Sequence, residues 1–365
     1  MPMRTVGVEE ELLLVDARTC QTSPVATSLL SADDPLLDGE FLEEMVEVQT
    51  RPHTDAEGLL QELCELRRHV AARAATVDAA PAGLATSARA VGGHVRDVER
   101  YRRIWDTYGA LARGHLTCGS HIHVGVADEH EGVGVLDGLR DWLPTLMALT
   151  AGSPFHDGQD TGYASYRWQL TARWPVSGPP PWCGSNTVYH QYVDALVDEG
   201  LIFDEGMLYL DARLSAHVPT VEVRIVDISP DVRDTLGLAL LVRALVETEA
   251  GRWRAGRGPG HSHPPVGTSD LRRQTWLASW RGLSGALVDP RTGRPVPAAE
   301  AVGALLRHVR PALLESGDRP AVEAWVAELL GAGGEAGRQR AILEQTGSIA
   351  DVVADAVRRT VDLPV

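Results

Sequence analysis

The chain has 365 residues, enough for one large domain or two smaller ones, and its composition (44% hydrophobic, 23% charged) is that of an ordinary globular protein. Its net charge of −16 argues against nucleic-acid and anionic-membrane partners, which are themselves negatively charged. All 34 basic residues are arginines, which excludes pyridoxal-phosphate enzymes, Walker A proteins and protein kinases, because each of these needs a lysine.

The first half of the chain mixes strands with helices. The capping-box pattern Thr54-Asp55-Ala56-Glu57 predicts a helix that runs to about Ala79, and a charged helix is expected over residues 98–111. Alternating or short apolar runs predict four strands, at residues 5–15, 43–50, 84–88 and 116–126.

The second half contains more helix. The predicted helices cover residues 132–150, 187–199 and 231–252, and the predicted strands cover residues 207–214 and 220–227. A mobile loop is expected at about residues 256–270, and residues 271–365 should be mostly helical. Because strands and helices do not alternate regularly, the sequence predicts an α+β fold with a mainly antiparallel sheet.

The cysteines and the N-terminus indicate the compartment. Cys20, Cys64, Cys118 and Cys183 are widely spaced and form no Cys-x-x-Cys pattern, which is typical of reduced thiols. The sequence shows no signal-peptide pattern and no run of about 18 apolar residues. We therefore expect a cytoplasmic protein without a membrane partner.

Polar residues two positions apart recur on the predicted strands, and residues at this spacing share one face of a sheet. The pairs are Glu9 and Glu11, His121 and His123, and Glu222 and Arg224, and the second strand adds Glu47, with Glu40 seven residues before it. The opposite faces are mainly apolar, so we expect helices to cover them. The polar face predicts a site for divalent cations, because carboxylate oxygens suit Mg²⁺ or Mn²⁺.

Each of these patterns has another interpretation when taken alone. Three successive glutamates can form a solvated strand edge, His-x-His can be a core or surface pair, and Glu-x-Arg is usually a surface ion pair. Cys118, His121 and His123 could suggest zinc, but strand alternation places Cys118 on the other face. The four strands together, with matching alternation, favour a metal–nucleotide site in which Arg224 neutralises a phosphoryl group.

Six motifs, taken together, resemble one family. They are GVEEE (7–11), GSHIHVG (119–125), AGSPF (151–155), DTGYASYR (160–167), PTVEVR (219–224) and GLSGALVDP (282–290). In order and spacing the chain is similar to the YbdK-type carboxylate–amine ligases, also called glutamate–cysteine ligase type 2. The resemblance extends over nearly the whole length.

The resemblance implies a fold like the catalytic domain of glutamine synthetase, with a curved, mainly antiparallel sheet backed by helices, a helical C-terminal part and a single catalytic domain over residues 1–365. The implied reaction uses ATP to phosphorylate a carboxylate, typically of glutamate, and an amine, typically cysteine, then attacks the acyl phosphate. ADP and phosphate are released. A homodimer is also expected.

The resemblance also implies roles for individual residues. The metal ligands would be Glu9, Glu11, Glu40, Glu47, His121 and Glu222. His121, His123 and Arg224 would contact the nucleotide, and Glu222 and Arg224 would act in catalysis. Arg167 and Arg213 are candidates for substrate carboxylates, because a planar guanidinium binds a carboxylate through two hydrogen bonds. For both arginines a structural ion pair is the alternative.

One departure from the family pattern lies close to these arginines. The family commonly reads Trp-Asp-x-Arg-Pro-Ser where this chain has Leu210-Asp211-Ala212-Arg213-Leu214-Ser215. Two other functions also remain open at this point. One is a metal-dependent amidohydrolase built on His121 and His123, which would need further zinc ligands, whereas His261 and His263 lie in a loop that is expected to be too mobile. The other is a non-catalytic nucleotide-binding relative.

Overall fold

A seven-stranded sheet forms the centre of the protein. The computed structural model describes residues 3–89, 93–258, 260 and 264–364. The strands in the described residues, seven of which form the central sheet, are β1 (Val6–Asp16), β2 (Asp38–Gly39), β3 (Met45–Gln49), β4 (Ala79–Ala82), β5 (Ser120–Gly125), β6 (Phe155–His156), β7 (Gln159–Asp160), β8 (Ser177–Gly178), β9 (Tyr209–Leu210), β10 (Ala212–Leu214), β11 (Thr220–Val223), β12 (Ala286–Asp289) and β13 (Arg294–Pro297).

Helices surround this sheet and form most of the C-terminal part. They are α1 (Ala26–Leu29), α2 (Ala56–Ala75), α3 (Glu99–Tyr108), α4 (Ala110–Arg113), α5 (Glu129–Leu139), α6 (Leu143–Thr150), α7 (Tyr166–Thr171), α8 (Asn186–Asp198), α9 (Val232–Arg254), α10 (Thr268–Arg281), α11 (Ala298–Ser316), α12 (Arg319–Ala332), α13 (Gly334–Thr346) and α14 (Ile349–Val361). None of the helices in the described ranges is both long and apolar enough to cross a membrane.

Every pairing in the central sheet is antiparallel. The strand order is β10-β11-β5-β1-β3-β2, and β4 pairs with the end of β1. Because β1 is flanked by β5 and β3, side chains from three neighbouring strands meet in the middle of the sheet. The α+β architecture with an antiparallel sheet, predicted from the sequence, is confirmed.

One face of the sheet packs against helices. Val6 and Val8 of β1 and Ile122 of β5 are buried in a cluster that also contains Leu238 and Leu241 of α9. Burying a side chain of this size contributes about 1.5–3 kcal/mol, so this face accounts for much of the stability of the sheet. The opposite face is thereby left for the polar side chains.

The helix-covered face is mainly apolar, as expected, but it also contains a buried ion pair. Glu10 of β1 points into it and forms an ion pair with Arg67 of α2, with Nη2 and Oε1 2.6 Å apart and both side chains essentially inaccessible to solvent. Thr235 donates a further hydrogen bond to Glu10, at 2.7 Å. Arg67 also donates to the carbonyl groups of Ser229 and Pro230. The pair therefore joins β1 and α2 to the start of α9.

Four predicted strands differ from the observed ones, and the strand predicted at 220–227 ends at Val223. The strand at 84–88 is wrong: the strand that pairs with β1 is β4, and within 84–88 only Thr86 makes a bridge, to Thr117. The strand at 116–126 is shorter, because the amide of Gly119 donates to the side chain of Glu11. The strand at 207–214 breaks at Asp211, whose carbonyl accepts hydrogen bonds from the amides of Arg224 and Ile225.

The C-terminal part is mostly helical, as predicted, with one exception. Strands β12 and β13 form a hairpin between α10 and α11. The loop expected at 256–270 is shorter than predicted, because α10 begins at Thr268. Residues 259 and 261–263 of that loop, including His261 and His263, lie outside the described residues.

Candidate active site

The polar face of the sheet brings the predicted ligand residues together. The antiparallel register sets these residues opposite one another in pairs: Glu9 and His121, Glu11 and Glu47, and His123 and Glu222. Glu40 follows directly after β2, at the edge of the same face. The two-residue alternation on four strands therefore places six side chains of metal-binding type on one surface.

Their ligand atoms are close enough to share cations. Three groups of three residues each have carboxylate or imidazole atoms within 4.8 Å of one another: Glu9, His123 and Glu222; Glu9, Glu47 and His121; and Glu11, Glu40 and Glu47. Glu9 and Glu47 each belong to two groups. Such shared ligands suit neighbouring cations, and no group found among the described residues contains a cysteine. Cys118 lies in the core on the other face, as strand alternation predicts.

The charges in this cluster are unbalanced on one side. Burial and the neighbouring Glu40 carboxylate raise the pKa of Glu11 to about 7. Burial and three surrounding carboxylates raise the pKa of Glu47 well above its usual value. Both shifts mean that a full set of ionised carboxylates is unfavourable here without positive charge. This donor set therefore fits Mg²⁺ or Mn²⁺, which prefer oxygen ligands.

The other side of the cluster is balanced by basic groups. Burial would raise the pKa of Glu9, but contacts with His121 and His123 outweigh it and hold the value well below its usual range. Burial also opposes ionisation of Glu222, yet the guanidinium groups of Arg224 and Arg213 lower its pKa to about 2. The site therefore presents fixed negative charge at Glu9 and Glu222.

Arg224 and Arg213 both contact Glu222. Arg224 donates from Nη1 to Oε1 of Glu222, and Arg213 donates from Nε to Oε2 at 2.7 Å. Arg213 also donates from Nη1 to three carbonyl groups of the 205–208 segment, at 3.1 to 3.3 Å. Since most donors of Arg213 are already used inside the protein, its contact with a substrate carboxylate stays a prediction.

Arg167 lies deeper and keeps one unused donor. Its Nη1 and Nη2 atoms donate to the carbonyl groups of Ile225 and Arg224 at 3.4 and 3.3 Å, while its buried Nε has no partner. Gly119 makes room for this side chain, because a Cβ atom at that position would lie 2.1 Å from Nη2 of Arg167. The arginine is thus held in place with a donor still available for a ligand.

A cavity of about 310 Å³ connects these residues. Its lining includes the carboxylates of Glu9, Glu11, Glu40 and Glu47 together with His121. It also includes Arg167, His115, Trp174, Tyr209 and Asp211. A small polar substrate in this cavity would lie between the cation-binding groups and a fixed guanidinium.

A larger, more open basin of about 1070 Å³ lies beside α7, with Tyr163, Tyr166 and Trp276 in its walls. It contains none of the predicted site residues. The smaller cavity is the better candidate for the active site, because its side chains combine convergent carboxylates with shifted pKa values.

Sequence reasoning missed several residues that line the 310 Å³ cavity. His115, Trp174, Tyr209 and Asp211 lie outside the strand pattern that identified the carboxylates, and they reach the cavity through loops and short strands. Asp227 was also missed: it accepts hydrogen bonds from Gly152, Ser153 and Ser165 and so ties two loops to the segment after β11, which carries Arg224. The motifs AGSPF and DTGYASYR contained a signal for this contact, since both include a serine that binds Asp227.

Comparison with known families identifies the chain. The model of the glutamate–cysteine ligase family 2 (GCS2) matches residues 5–355. The chain belongs to this family. Membership in glutamate–cysteine ligase family 2 confirms the resemblance predicted from the motifs, and with it the reaction class, an ATP-dependent ligase that forms a carbon–nitrogen bond.

Relatives of similar length support the family assignment. A protein named "Putative glutamate--cysteine ligase 2-1" from Streptomyces avermitilis is 43% identical over 367 residues, which cover 98% of this chain and 99% of the relative. A protein named "Putative glutamate--cysteine ligase 2" from Streptomyces coelicolor is 41% identical over 365 residues, with 98% and 99% covered.

Solved structures of low sequence identity share the fold. Glutamate–cysteine ligase from Francisella tularensis, crystallised in complex with AMP, superposes with a TM-score of 0.74 at 13% identity, covering 99% of this family 2 chain and 90% of that chain. A bifunctional glutathione synthetase from Pasteurella multocida gives a TM-score of 0.71 at 15% identity, covering 98% and 51%. These likenesses agree with the predicted ligase fold.

Proposed function

We propose that this protein joins the γ-carboxyl group of glutamate to an amine, typically that of cysteine, with release of ADP and phosphate. The observation that carries the proposal is the cavity that Glu9, Arg224 and Arg167 line together, with Glu222 beside it holding Arg224. Family membership and the names of the relatives agree with it. They favour a ligase over an amidohydrolase.

The residues of the site have different roles in the proposed reaction. Glu9, Glu11, Glu40, Glu47, His121 and Glu222 would hold Mg²⁺ or Mn²⁺, which when bound supply positive charge to phosphate oxygens. Arg224 is fixed by Glu222 and is directed to a transferring phosphoryl group, whose charge it neutralises. His121 and His123 contact the nucleotide side of the site, and Arg167 orients a substrate carboxylate through its unused Nε.

The chain's own groups support an acyl-phosphate route. The sequence has no lysine to activate a carbonyl group. Activation by ATP therefore suits this site better than a covalent enzyme intermediate. The amine then attacks the activated carboxyl carbon, and phosphate leaves. The single catalytic domain over residues 1–365, a cytoplasmic location and a homodimer remain predictions of the same proposal.

The experiment that tests the function supplies ¹⁸O-labelled glutamate, ATP, Mg²⁺ and a panel of amines including cysteine. We expect amide product, ADP and ¹⁸O in the released phosphate, because phosphoryl transfer to the carboxylate moves one of its oxygens to phosphorus. Mass spectrometry of products and phosphate measures all three. Label in AMP, or amide formed with unlabelled phosphate, would contradict the route. ATP binding without turnover of any amine would favour a non-catalytic relative.

Removal of divalent cations gives a second test. We expect EDTA to reduce ADP release to background, Mg²⁺ or Mn²⁺ to restore it, and Zn²⁺ to fail to restore the full rate, because most candidate ligands are carboxylates and none is a thiolate. A coupled assay for ADP follows the rate, with circular dichroism as the control for folding. Full activity with Zn²⁺ alone would instead support the amidohydrolase.

A further inference from the structure

Asp211 is an unusual buried carboxylate in this protein. Asp211 is 4% exposed and lines the 310 Å³ cavity. Oδ1 accepts a hydrogen bond from Nε1 of Trp168 at 2.9 Å, whereas Oδ2 is buried and has no partner. A buried acceptor without a partner costs stability, so an arrangement of this kind calls for a function.

Other buried aspartates of the chain show what a structural role looks like. Both oxygens of Asp227 accept hydrogen bonds, from Ser165 on one side and from Gly152 and Ser153 on the other. Both oxygens of Asp137 accept hydrogen bonds from the amides of Cys183 and Gly184. Asp211 differs from them because Oδ1 accepts a hydrogen bond from the protein whereas Oδ2 has no partner.

Asp211 lines a cavity whose other lining residues also carry buried polar atoms without a partner. Nε of Arg167, Nε1 of Trp174 and Nδ1 of His115 are all buried without a partner, and all three residues line the same cavity as Asp211. Two of these atoms, Nε of Arg167 and Nε1 of Trp174, are donors, and with the anionic acceptor of Asp211 they complement a molecule that carries both a carboxylate and an ammonium group. A simple carboxylic acid would leave the acceptor unpaired, and a simple amine would leave the donors unpaired.

We propose that Asp211 binds the α-ammonium group of an amino-acid substrate, with Arg167 at the carboxylate, so that the cavity selects α-amino acids over their deaminated analogues. This inference rests on the proposed ligase function and names the group that recognises the substrate.

The electrostatics of the cavity agree with this role. Burial raises the pKa of Asp211 to about 7, so the empty site holds a carboxyl group that ionises only in part at neutral pH. An ammonium group next to Oδ2 would favour the ionised form, because opposite charges at hydrogen-bond distance stabilise each other in a site shielded from water. Ligand binding and ionisation of Asp211 would then reinforce each other.

The test compares amino acids with analogues that lack only the ammonium group. The two pairs are L-glutamate with glutarate and L-cysteine with 3-mercaptopropionate, measured by calorimetry in the presence of Mg²⁺ and a non-hydrolysable ATP analogue, and as KM where turnover occurs. We expect the unmodified protein to prefer the amino acid of at least one pair by ~100-fold. In Asp211→Asn, which keeps the acceptor for Trp168, this preference should fall to within ~3-fold, with kcat changed much less than KM.

Asp137→Asn is the matched control, since it makes the same change at a buried aspartate that does not line the cavity. It should keep the preference even if it lowers thermal stability. A preference that survives in a folded Asp211→Asn protein, or no preference for either pair in the unmodified protein, would overturn the proposal. ADP release is measured separately. Amide formation without a preference for amino acids would support the ligase function and contradict the role of Asp211. A preference for amino acids without ADP release would support the role of Asp211 and contradict the ligase function.

Discussion

Glu222→Gln is expected to lower kcat/KM by ~100-fold or more while the protein stays folded. Glu222 is 1% exposed, and its two oxygens contact Arg213 and Arg224 while it shares a candidate cation site with Glu9 and His123. The substitution removes a negative charge that water cannot replace, and it turns an amide NH₂ group towards a guanidinium. ADP release with saturating ATP and glutamate measures the loss.

Two further variants make this result interpretable. Glu249→Gln is the matched control, because Glu249 is also buried and contacts a histidine, His308, but lies outside the cavity. It should keep most of the activity. Glu222→Asp keeps the charge but withdraws it from the arginines, so we expect an intermediate rate. If Glu222→Gln has a near-normal melting temperature and most of its activity, Glu222 does not belong to the catalytic site.

Arg67→Met is expected to lower the free energy of unfolding by about 3–5 kcal/mol, the largest stability effect that we anticipate for a single substitution. Arg67 and Glu10 are both fully buried, so removal of the arginine leaves a carboxylate without its counter-charge between the sheet and α2. The carbonyl groups of Ser229 and Pro230 also lose their donor. Urea denaturation monitored by circular dichroism measures the change.

The double variant Glu10→Gln with Arg67→Met should recover part of that loss, because it removes the uncompensated charge as well. Arg319→Met serves as the control: Arg319 forms an exposed ion pair with Glu323 on α12, and its removal should have little effect. An equal loss from Arg319→Met and Arg67→Met, or a double variant no more stable than Arg67→Met alone, would contradict the role assigned to the buried pair.

The sequence predicted the polar face because that face depends on a local property. Alternation along a strand is independent of what surrounds it, so Glu9 with Glu11 and His121 with His123 could be assigned to one face without knowledge of the fold. The antiparallel register then sets Glu9 opposite His121 and Glu222 opposite His123. The family motifs supplied the fold, a mainly antiparallel sheet backed by helices, which alternation alone does not give.

The other residues that line the cavity could not be predicted in the same way. His115 lies just before a predicted strand and Asp211 lies inside one, but they meet only through contacts between residues far apart in the chain. The strand at 207–214 was expected to be continuous because its pattern is apolar, whereas the hydrogen bonds to the Asp211 carbonyl break it. Arg67 was missed for a related reason: an arginine among apolar helix positions is assigned to solvent unless its partner, Glu10, is known.

The two departures from the family pattern, at Leu210 and Leu214, have different structural consequences. Leu210 lines the cavity, so the change from the more common tryptophan alters the space available to a substrate. Leu214 instead lies against Gly132 of α5, where a Cβ atom would be 2.9 Å from its Cδ2. The first change concerns substrate choice, whereas the second concerns packing between the sheet and α5.

Three carboxylates in a row on β1 also limit how this protein can change. Glu9 and Glu11 face the cavity while Glu10 faces the helices, so loss or gain of one residue in β1 would reverse all three at once. Cation-binding groups would then enter the core, and the partner of Arg67 would enter the active site. The strand should therefore tolerate neither insertions nor deletions. Redesign for a new amine should leave β1 untouched and vary Leu210 and Gly206, which line the cavity without supplying its candidate cation ligands.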